Sequence, residues 1–503
     1  MRRFFLLATC FLMGFAVLGL ELLGFRLYGP EFGYSSYVAG TLIGVILAAL
    51  SLGYIIGGRL ADRAPRPPVL YRLIVIAGLL LVAFAFVYKA LLTYFFMKFG
   101  MITGLILVTI LLYGPPMVLL SMTSPFIIRL VARHDQVGTA AGSIYALSTI
   151  GSILGSFLTP FVLVPEIGSH MTLVIITAIV LVVGVVGLLG VRGRWVAALL
   201  ALGLLWFSFP EEEENVVLLI QSPYSDLQVE RDEKGGPYRL AVNNWAWYSR
   251  GLPEGVRTGY YYDYFMLGPQ LVPVKEMVVL GVAAGTSIMQ FQRIPEYRGI
   301  HIDAVEIDPW VIKIAKMKEY FGLEEGPKLD IHIQDARPFL RMTEKRYDLV
   351  EIDMFQGGPF VPFYVTSKEF FQLVSDRMSD NGLAITNVLA LSNEKLLVSC
   401  IVATMEAVFP SVYVVRRSSN YLVFAFKKET SLAEVRHRLG AVRTRGLEEL
   451  ARETASKLVT RTPYPGTHVF TDDKADVARV TFNMVRRYAN VRRSQRRRSQ
   501  RRR

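Results

Sequence analysis

The alternation of apolar and polar positions divides the chain into two unlike halves. Residues 1–209 are almost continuously apolar, broken only by short basic or glycine-bearing stretches. Runs of about 20 apolar residues match the thickness of a bilayer. They predict spans near 4–28, 37–58, 70–92, 101–128, 140–164 and 171–191, with a shorter candidate at 195–209. Met1-Arg-Arg followed by Phe4–Leu20 has the look of a signal peptide, but the further apolar segments make it a first spanning helix. From residue 211 the pattern changes to short runs rich in β-branched residues, separated by turns. Residues 216–221, 226–230 and 238–242 read as a small antiparallel sheet. Residues 277–281, 302–306, 329–333, 347–352 and 382–388 read as strands alternating with helices, which implies a parallel sheet covered on both faces. Strands at 411–416 and 420–426 close it as a hairpin. The expected fold is an α-helical transmembrane bundle of six or seven spans, then an α/β Rossmann-like, methyltransferase-type domain with a small N-terminal β-sheet. The expected division is 1–209, 211–490 and a disordered Arg-rich tail at 491–503.

Charge refines this picture. The formal net charge is +13, but the last 18 residues hold ten arginines and no acid, and without those ten the charge falls to +3. The basic balance is a tail property, which gives no reason to expect a specific nucleic-acid partner. Basic residues also sort the loops of the first half: Arg2 and Arg3, Arg59 to Arg72, Arg129 and Arg133, and Arg192 and Arg194 fall on alternate sides. The positive-inside rule then places the N-terminus in the cytoplasm, in a multi-pass protein of the cell membrane with the lipid bilayer as its partner. The side of the soluble half depends on whether 195–209 spans. The polybasic tail, suited to an anionic leaflet, favours the cytoplasm. Gly40/Gly44, Gly53/Gly57 and Gly151/Gly155 offer small-residue faces for helix packing. Two cysteines in different halves form no disulfide framework, and six scattered histidines without a His-x-x-x-His pair give no metal-site spacing.

The candidate chemistry lies at the carboxyl ends of the strands, where open α/β sheets bind ligands. Met277–Leu280 runs directly into Gly281 and Gly285, after which Thr286 or Ser287 can cap a helix. Glycines there let backbone approach a ligand, and a helix start offers unpaired N–H groups. Glu306 ends the next strand, about 20 residues on, where an acid can accept from both ribose hydroxyls of a nucleoside. Asp335, with Ala336, follows the third strand, and Asp353 follows the fourth. Asp335 before Ala336-Arg337-Pro338 also reads as a helix cap. Three carboxylates and a glycine turn nonetheless converge on one crevice.

At these residues the sequence resembles the polyamine aminopropyltransferases, the spermidine synthase family. It is more closely similar to bacterial proteins in which a membrane bundle is fused to a spermidine synthase-like domain. The likeness rests on Gly58-Arg-Leu-Ala-Asp-Arg63, Ser124-Pro125-Phe and Tyr145–Gly155 in the first half. In the second it rests on Ser222-Pro-Tyr-Ser, Leu-Ala-Val-Asn243-Asn244, Val305-Glu-Ile-Asp-Pro309, Gln334-Asp-Ala336, Tyr347–Asp353 and Phe470-Thr-Asp-Asp473. Gly57–Arg63 also resembles the loop between the second and third helices of major-facilitator transporters. The resemblance implies a nucleoside site for decarboxylated S-adenosylmethionine, or S-adenosylmethionine itself, as cosubstrate, with no tightly bound cofactor. In it Glu306 would hold the ribose, Asp335 the adenine amino group, and Asp353 would orient or deprotonate an attacking small-molecule amine such as putrescine. Tyr262 would line the amine channel. The family's soluble members form homodimers, a further expectation.

Three positions depart from the family pattern. Ala284 stands where an aspartate grips the aminopropyl ammonium, Asp263 where a histidine follows the helix tyrosine, and Gln356 where the loop carries a second acid. Asp263 and Gln356, beside the channel tyrosine Tyr262, therefore mark an altered substrate pocket, where Tyr260, Tyr261, Tyr264, Trp245 and Trp247 offer either an aromatic box for a cation or, for most of them, core packing. Aminopropyl transfer leads. Methyl transfer from intact S-adenosylmethionine stays open, since the same sheet and Glu306 serve it. A transporter or sensor that binds a polyamine or nucleoside without turnover is the reading from another class.

Overall fold

The computed structural model describes residues 2–132, 137–190, 195, 196, 203, 215–231, 236–243, 246–252, 255–355, 359–391 and 394–488. The expected seventh span lies mostly outside these residues, as do the Arg-rich tail, Gln356 and Trp245; the side chain of Trp247 is also undescribed. The chain divides into two compact units, Met1–Glu212 with Gln221–Pro223, and Glu213–Ile220 with Tyr224–Arg503.

Among the described residues the first unit has six helices long and apolar enough to cross a membrane: Arg3–Phe32, Ser36–Arg63, Pro67–Phe99, Gly114–Val131, Val137–Ile167 and Ser169–Leu189. The fourth expected span, 101–128, is not one straight helix. It is built of Met101–Leu112, Gly114–Ser121 and Thr123–Val131. Pro115 and Pro116 lack N–H groups and interrupt the hydrogen-bond ladder at the first break. Pro160 does the same in the fifth helix, where Thr159–Leu163 widens to a π-turn. Glycines set the packing of the first and fifth helices. A Cβ on Gly151 would lie 2.0 Å from the Phe11 carbonyl oxygen, and one on Gly155 2.4 Å from that of Phe15. Gly53 and Gly57 meet Val118, Ser121 and Met122 as closely. Gly40 and Gly44, expected to do likewise, have nothing within 4 Å.

The second unit holds two sheets. The small one takes β1 (Val216–Gln221), β2 (Asp226–Glu230), β3 (Arg239–Val242) and β4 (Ala246–Arg250) in that order. The strand β4 was absent from the sequence reading, because its aromatic run gives no clean alternation. The large sheet contains β5 (Glu276–Leu280), β6 (His301–Glu306), β7 (Leu329–Ile333), β8 (Tyr347–Ile352), β9 (Met378–Leu389), β10 (Ser411–Arg417) and β11 (Asn420–Phe426). Its order is β10-β11-β9-β8-β5-β6-β7. The strands β5 to β9 are mutually parallel where they pair, and β11 runs antiparallel to both β9 and β10. Both faces are buried. Met277, Val279 and Leu349 join one apolar core with Ile288 and Phe265. Val278, Leu280 and Val350 join the other with Phe370 and Ile401. The sheet grows from β5 through β6 to β7 on one side and from β8 to β9 on the other. The direction reverses between β5 and β8, and their carboxyl ends frame a crevice.

Candidate functional site

At the reversal point Gly281 follows β5 with φ +89°, and a Cβ there would sit 2.5 Å from the carbonyl oxygen of Asp353. A residue with a Cβ could not combine that conformation with that approach. The loop then passes through Ala283 at φ +48° to Gly285 at φ +75°. Gly285 itself starts the helix Thr286–Arg293, with no side-chain cap. The expected cap from Thr286 or Ser287 does not form. The Thr286 hydroxyl instead donates to the Arg250 carbonyl at 2.9 Å and accepts from the Arg250 N–H at 3.2 Å, tying β4 to the loop. Ala284 is fully buried, and its N–H donates to Ser249 Oγ at 2.9 Å.

Glu306 ends β6, half-buried. One carboxylate oxygen accepts the N–H groups of Val282 at 3.0 Å and Ala283 at 3.4 Å, and the other accepts that of Asp308 at 3.1 Å. Burial raises its pKa, and these backbone bonds oppose the rise. The carboxylate thus fastens the strained glycine loop to β6. Asp308, buried beside it, caps the helix Pro309–Lys316 through the Trp310 N–H. Asp335 caps the helix Ala336–Met342 by accepting from the Arg337 N–H at 2.8 Å. Its other oxygen accepts from the Tyr364 hydroxyl at 3.0 Å. Ala336, buried, is the first residue of that helix.

Asp353 follows β8, and both of its oxygens are engaged. The Tyr261 hydroxyl donates to one at 2.8 Å and the Asn387 amide to the other at 2.9 Å. Asn387 is itself oriented, because its carbonyl accepts from the Asn420 amide at 2.9 Å. Burial pushes the Asp353 carboxyl up to about 6, against the lowering effect of these two donors. Burial and the adjacent Asp353 hold the Tyr261 phenol well above its ordinary range, so it stays a donor near neutrality. Glu351 stands two residues earlier on the same face of β8, fully buried, and burial pushes its carboxyl well up. Glu351 is thus a second carboxyl that burial holds above the usual carboxylate range, near Asp353 in sequence.

Tyr262 is buried with its ring 4.1 Å from that of Tyr261. The tyrosine that meets Asp353 is Tyr261, the neighbour of Tyr262 in a 3-10 turn over Tyr261–Leu267. Asp263 is engaged within the protein. It is buried, and its oxygens accept from the Thr258 N–H and hydroxyl, the Gly259 N–H and the Gln290 amide, at 2.7–2.9 Å. It pins the loop that carries Tyr261. The ring cluster already holds a cation, the Arg250 guanidinium, 5.3 Å from the Tyr260 centroid. Sequence reasoning missed Asn387 and Asn420. Asn387 is a lone amide near the end of an apolar strand, and reading that strand end like the other four would have found it.

Among the described residues His301, Asp303 and Asp330 bring ligand atoms within 4.8 Å of one another. They lie towards the opposite end of the strands from the crevice. Lys345 Nζ stands 2.8 Å from Asp303 and supplies positive charge there.

Residues 272–435 match the spermine/spermidine synthase domain family. A probable polyamine aminopropyl transferase of Bifidobacterium longum is 27% identical over 239 residues, which are 44% of this chain and 52% of that protein. The mouse eEF1A lysine and N-terminal methyltransferase is 25% identical over 150 residues, covering 28% of this chain and 20% of the relative. The spermidine synthase structure from Thermotoga maritima aligns at 16% identity and a TM-score of 0.37, covering 50% of this chain and 85% of that one. The chain spans about half the length of the curated aminopropyltransferases it matches first. Within the C-terminal half, residues 272–435 are similar to the spermine/spermidine synthase domain family, polyamine aminopropyltransferases are among the relatives that match, and an N-terminal region of apolar helices precedes them.

Proposed function

We propose that the soluble half transfers an alkyl group from a sulfonium nucleoside to an amine, and that the group is aminopropyl, from decarboxylated S-adenosylmethionine. The observation that carries this reading is Asp353. It lies at the reversal point of the sheet against the glycine loop, oriented through both oxygens and lifted to about 6. A carboxyl poised there is ionised at neutral pH yet basic enough to accept a proton. The amine nitrogen attacks the carbon bonded to sulfur, and the C–S electron pair returns to sulfur, leaving a neutral thioether. The ammonium that forms gives its proton to Asp353. Glu306 would take the ribose hydroxyls, and Asp335 with Ala336 the base. Much of the rate comes from alignment, since the leaving group departs without protonation. The six apolar helices would hold this domain at a membrane, on the cytoplasmic side by the distribution of basic residues.

One observation favours methyl transfer as a second reading. Ala284 fills the loop position where the family carries an acid for the aminopropyl ammonium, and it is buried with its N–H on Ser249. The full chain in detergent, incubated with putrescine and either donor, separates the two by mass spectrometry. Methylthioadenosine formation from the decarboxylated donor, abolished by Asp353→Asn, supports aminopropyl transfer. S-adenosylhomocysteine formation from the intact donor supports methyl transfer. Binding of neither donor sinks both.

A further inference from the structure

Asp335 is surrounded by a network that the reaction does not require. Its second oxygen accepts from Tyr364, in the 3-10 turn Phe363–Val365. That turn is tied down from behind, because the carbonyl of Tyr364 accepts from Arg337 Nη1 at 3.0 Å. Arg337 is nearly buried and forks onto Asp472, with Nη1–Oδ1 at 2.9 Å and Nη2–Oδ2 at 2.5 Å. Asp472 also accepts from the Ser367 hydroxyl, and its N–H donates to Glu369 at 2.9 Å. The next link is a backbone bond from the Lys368 N–H to the Phe470 carbonyl at 2.8 Å. Phe470-Thr-Asp-Asp473 therefore buckles a C-terminal segment, beyond the matched residues 272–435, to the turn that faces Asp335. A planar bidentate pair of this kind fixes direction as well as distance.

We propose that Tyr364, held by the Arg337–Asp472 buckle, is the positioning residue of the base end of the crevice, and that it selects a purine with a 6-amino group. The inference rests on the reading of Asp335 as the contact to the base. The Tyr364 hydroxyl can only donate to this carboxylate, and the Arg337 N–H does the same on the other oxygen. Both oxygens of Asp335 thus serve as acceptors, with their remaining lone pairs in a set direction. A 6-amino group donates into them. A 6-oxo group would set lone pair against lone pair and lose the bond, which is how a site built for a donor rejects its analogue. Burial and the neighbouring Asp335 both push the Tyr364 phenol up, so it remains a donor across the accessible pH range.

The test is calorimetric titration of the full chain in detergent with 5′-methylthioadenosine and its 6-oxo counterpart, 5′-methylthioinosine. Wild type should prefer the amino form by roughly 100-fold, and Tyr364→Phe, which keeps the ring and removes the donor, should cut that ratio about 10-fold. Asp472→Asn, which acts on Asp335 only through Arg337, should lower the ratio in the same direction by about 3-fold by loosening that arginine. A Tyr364→Phe protein with an unchanged ratio, or with both ligands weakened equally, overturns the inference and leaves the nucleoside reading standing. If wild type binds neither compound, the nucleoside reading falls, and the inference with it.

Discussion

Replacing Asp353 with asparagine should make the protein less active and, above neutrality, relatively more stable. The carboxyl is raised from the ordinary 3.8 to about 6 because folding takes it out of water. Below about pH 4 it is protonated both folded and unfolded, and the shift costs nothing. Between pH 4 and 6 the unfolded chain releases the proton while the folded chain keeps it. Above 6 both are ionised, and the folded state carries the desolvation cost. A displacement of about two pH units is worth about 3 kcal/mol at most, and partial exposure of Asp353 reduces this to roughly half. Asp353→Asn removes the titration but keeps the size. Its single amide oxygen can accept from Tyr261 or from Asn387 but not both, a penalty of about 1 kcal/mol that does not vary with pH. The stability of the variant minus that of wild type should therefore climb by about 1.5–3 kcal/mol between pH 4 and pH 8. For a domain of this size that is a relative melting shift of about 3–10 °C. Intrinsic fluorescence melts of the full chain in detergent at pH 4.5 and 8 would read it. A difference that stays flat with pH would mean that Asp353 is not held at a raised pKa, and the general-base argument would lose its foundation.

Three further outcomes follow from the same geometry. Tyr261→Phe removes a donor that lowers the Asp353 pKa, so the pH midpoint of turnover should move above 6, with the neutral-pH rate down about 10-fold; an unmoved midpoint in a pH–rate profile would contradict this. Gly281→Ala must place a Cβ 2.5 Å from the Asp353 carbonyl at φ +89°, so nucleoside binding should vanish in titration, with a loss of stability of about 2 kcal/mol or more. Gly151→Val drives a side chain into the Phe11 carbonyl, and detergent-solubilised protein should lose monodispersity in size-exclusion chromatography, whereas Gly40→Val, with open space around it, should not.

The two-part architecture, the strands of the large sheet and the four strand ends that frame the crevice were all readable from local pattern. Apolar periodicity is a local property, and Gly281, Glu306, Asp335 and Asp353 each sit directly after a run that declares itself a strand. Bilayer-length apolar runs likewise announced six helices and a shorter seventh candidate, which lies mostly outside the described residues, and prolines interrupt the fourth and fifth. Which side chains complete the site was not readable, because the partners of Asp353 come from positions 92 and 34 residues away in the chain. Tyr261, not singled out as an Asp353 partner, reaches it from a 3-10 turn. Asp263 points inward, where it accepts from the Thr258 and Gly259 N–H groups. Asn387 and Asn420 met only because β9 and β11 pair antiparallel.

The sequence by itself determined the classes of residue at the crevice and the order of the elements, since hydrophobic period, glycine and proline act within a few residues of themselves. Only the tertiary structure decided which carboxyl is lifted towards neutrality, which tyrosine faces it, and that Asp472 is joined to the neighbourhood of Asp335 through Arg337. Burial and hydrogen-bond direction depend on groups brought together across the whole domain.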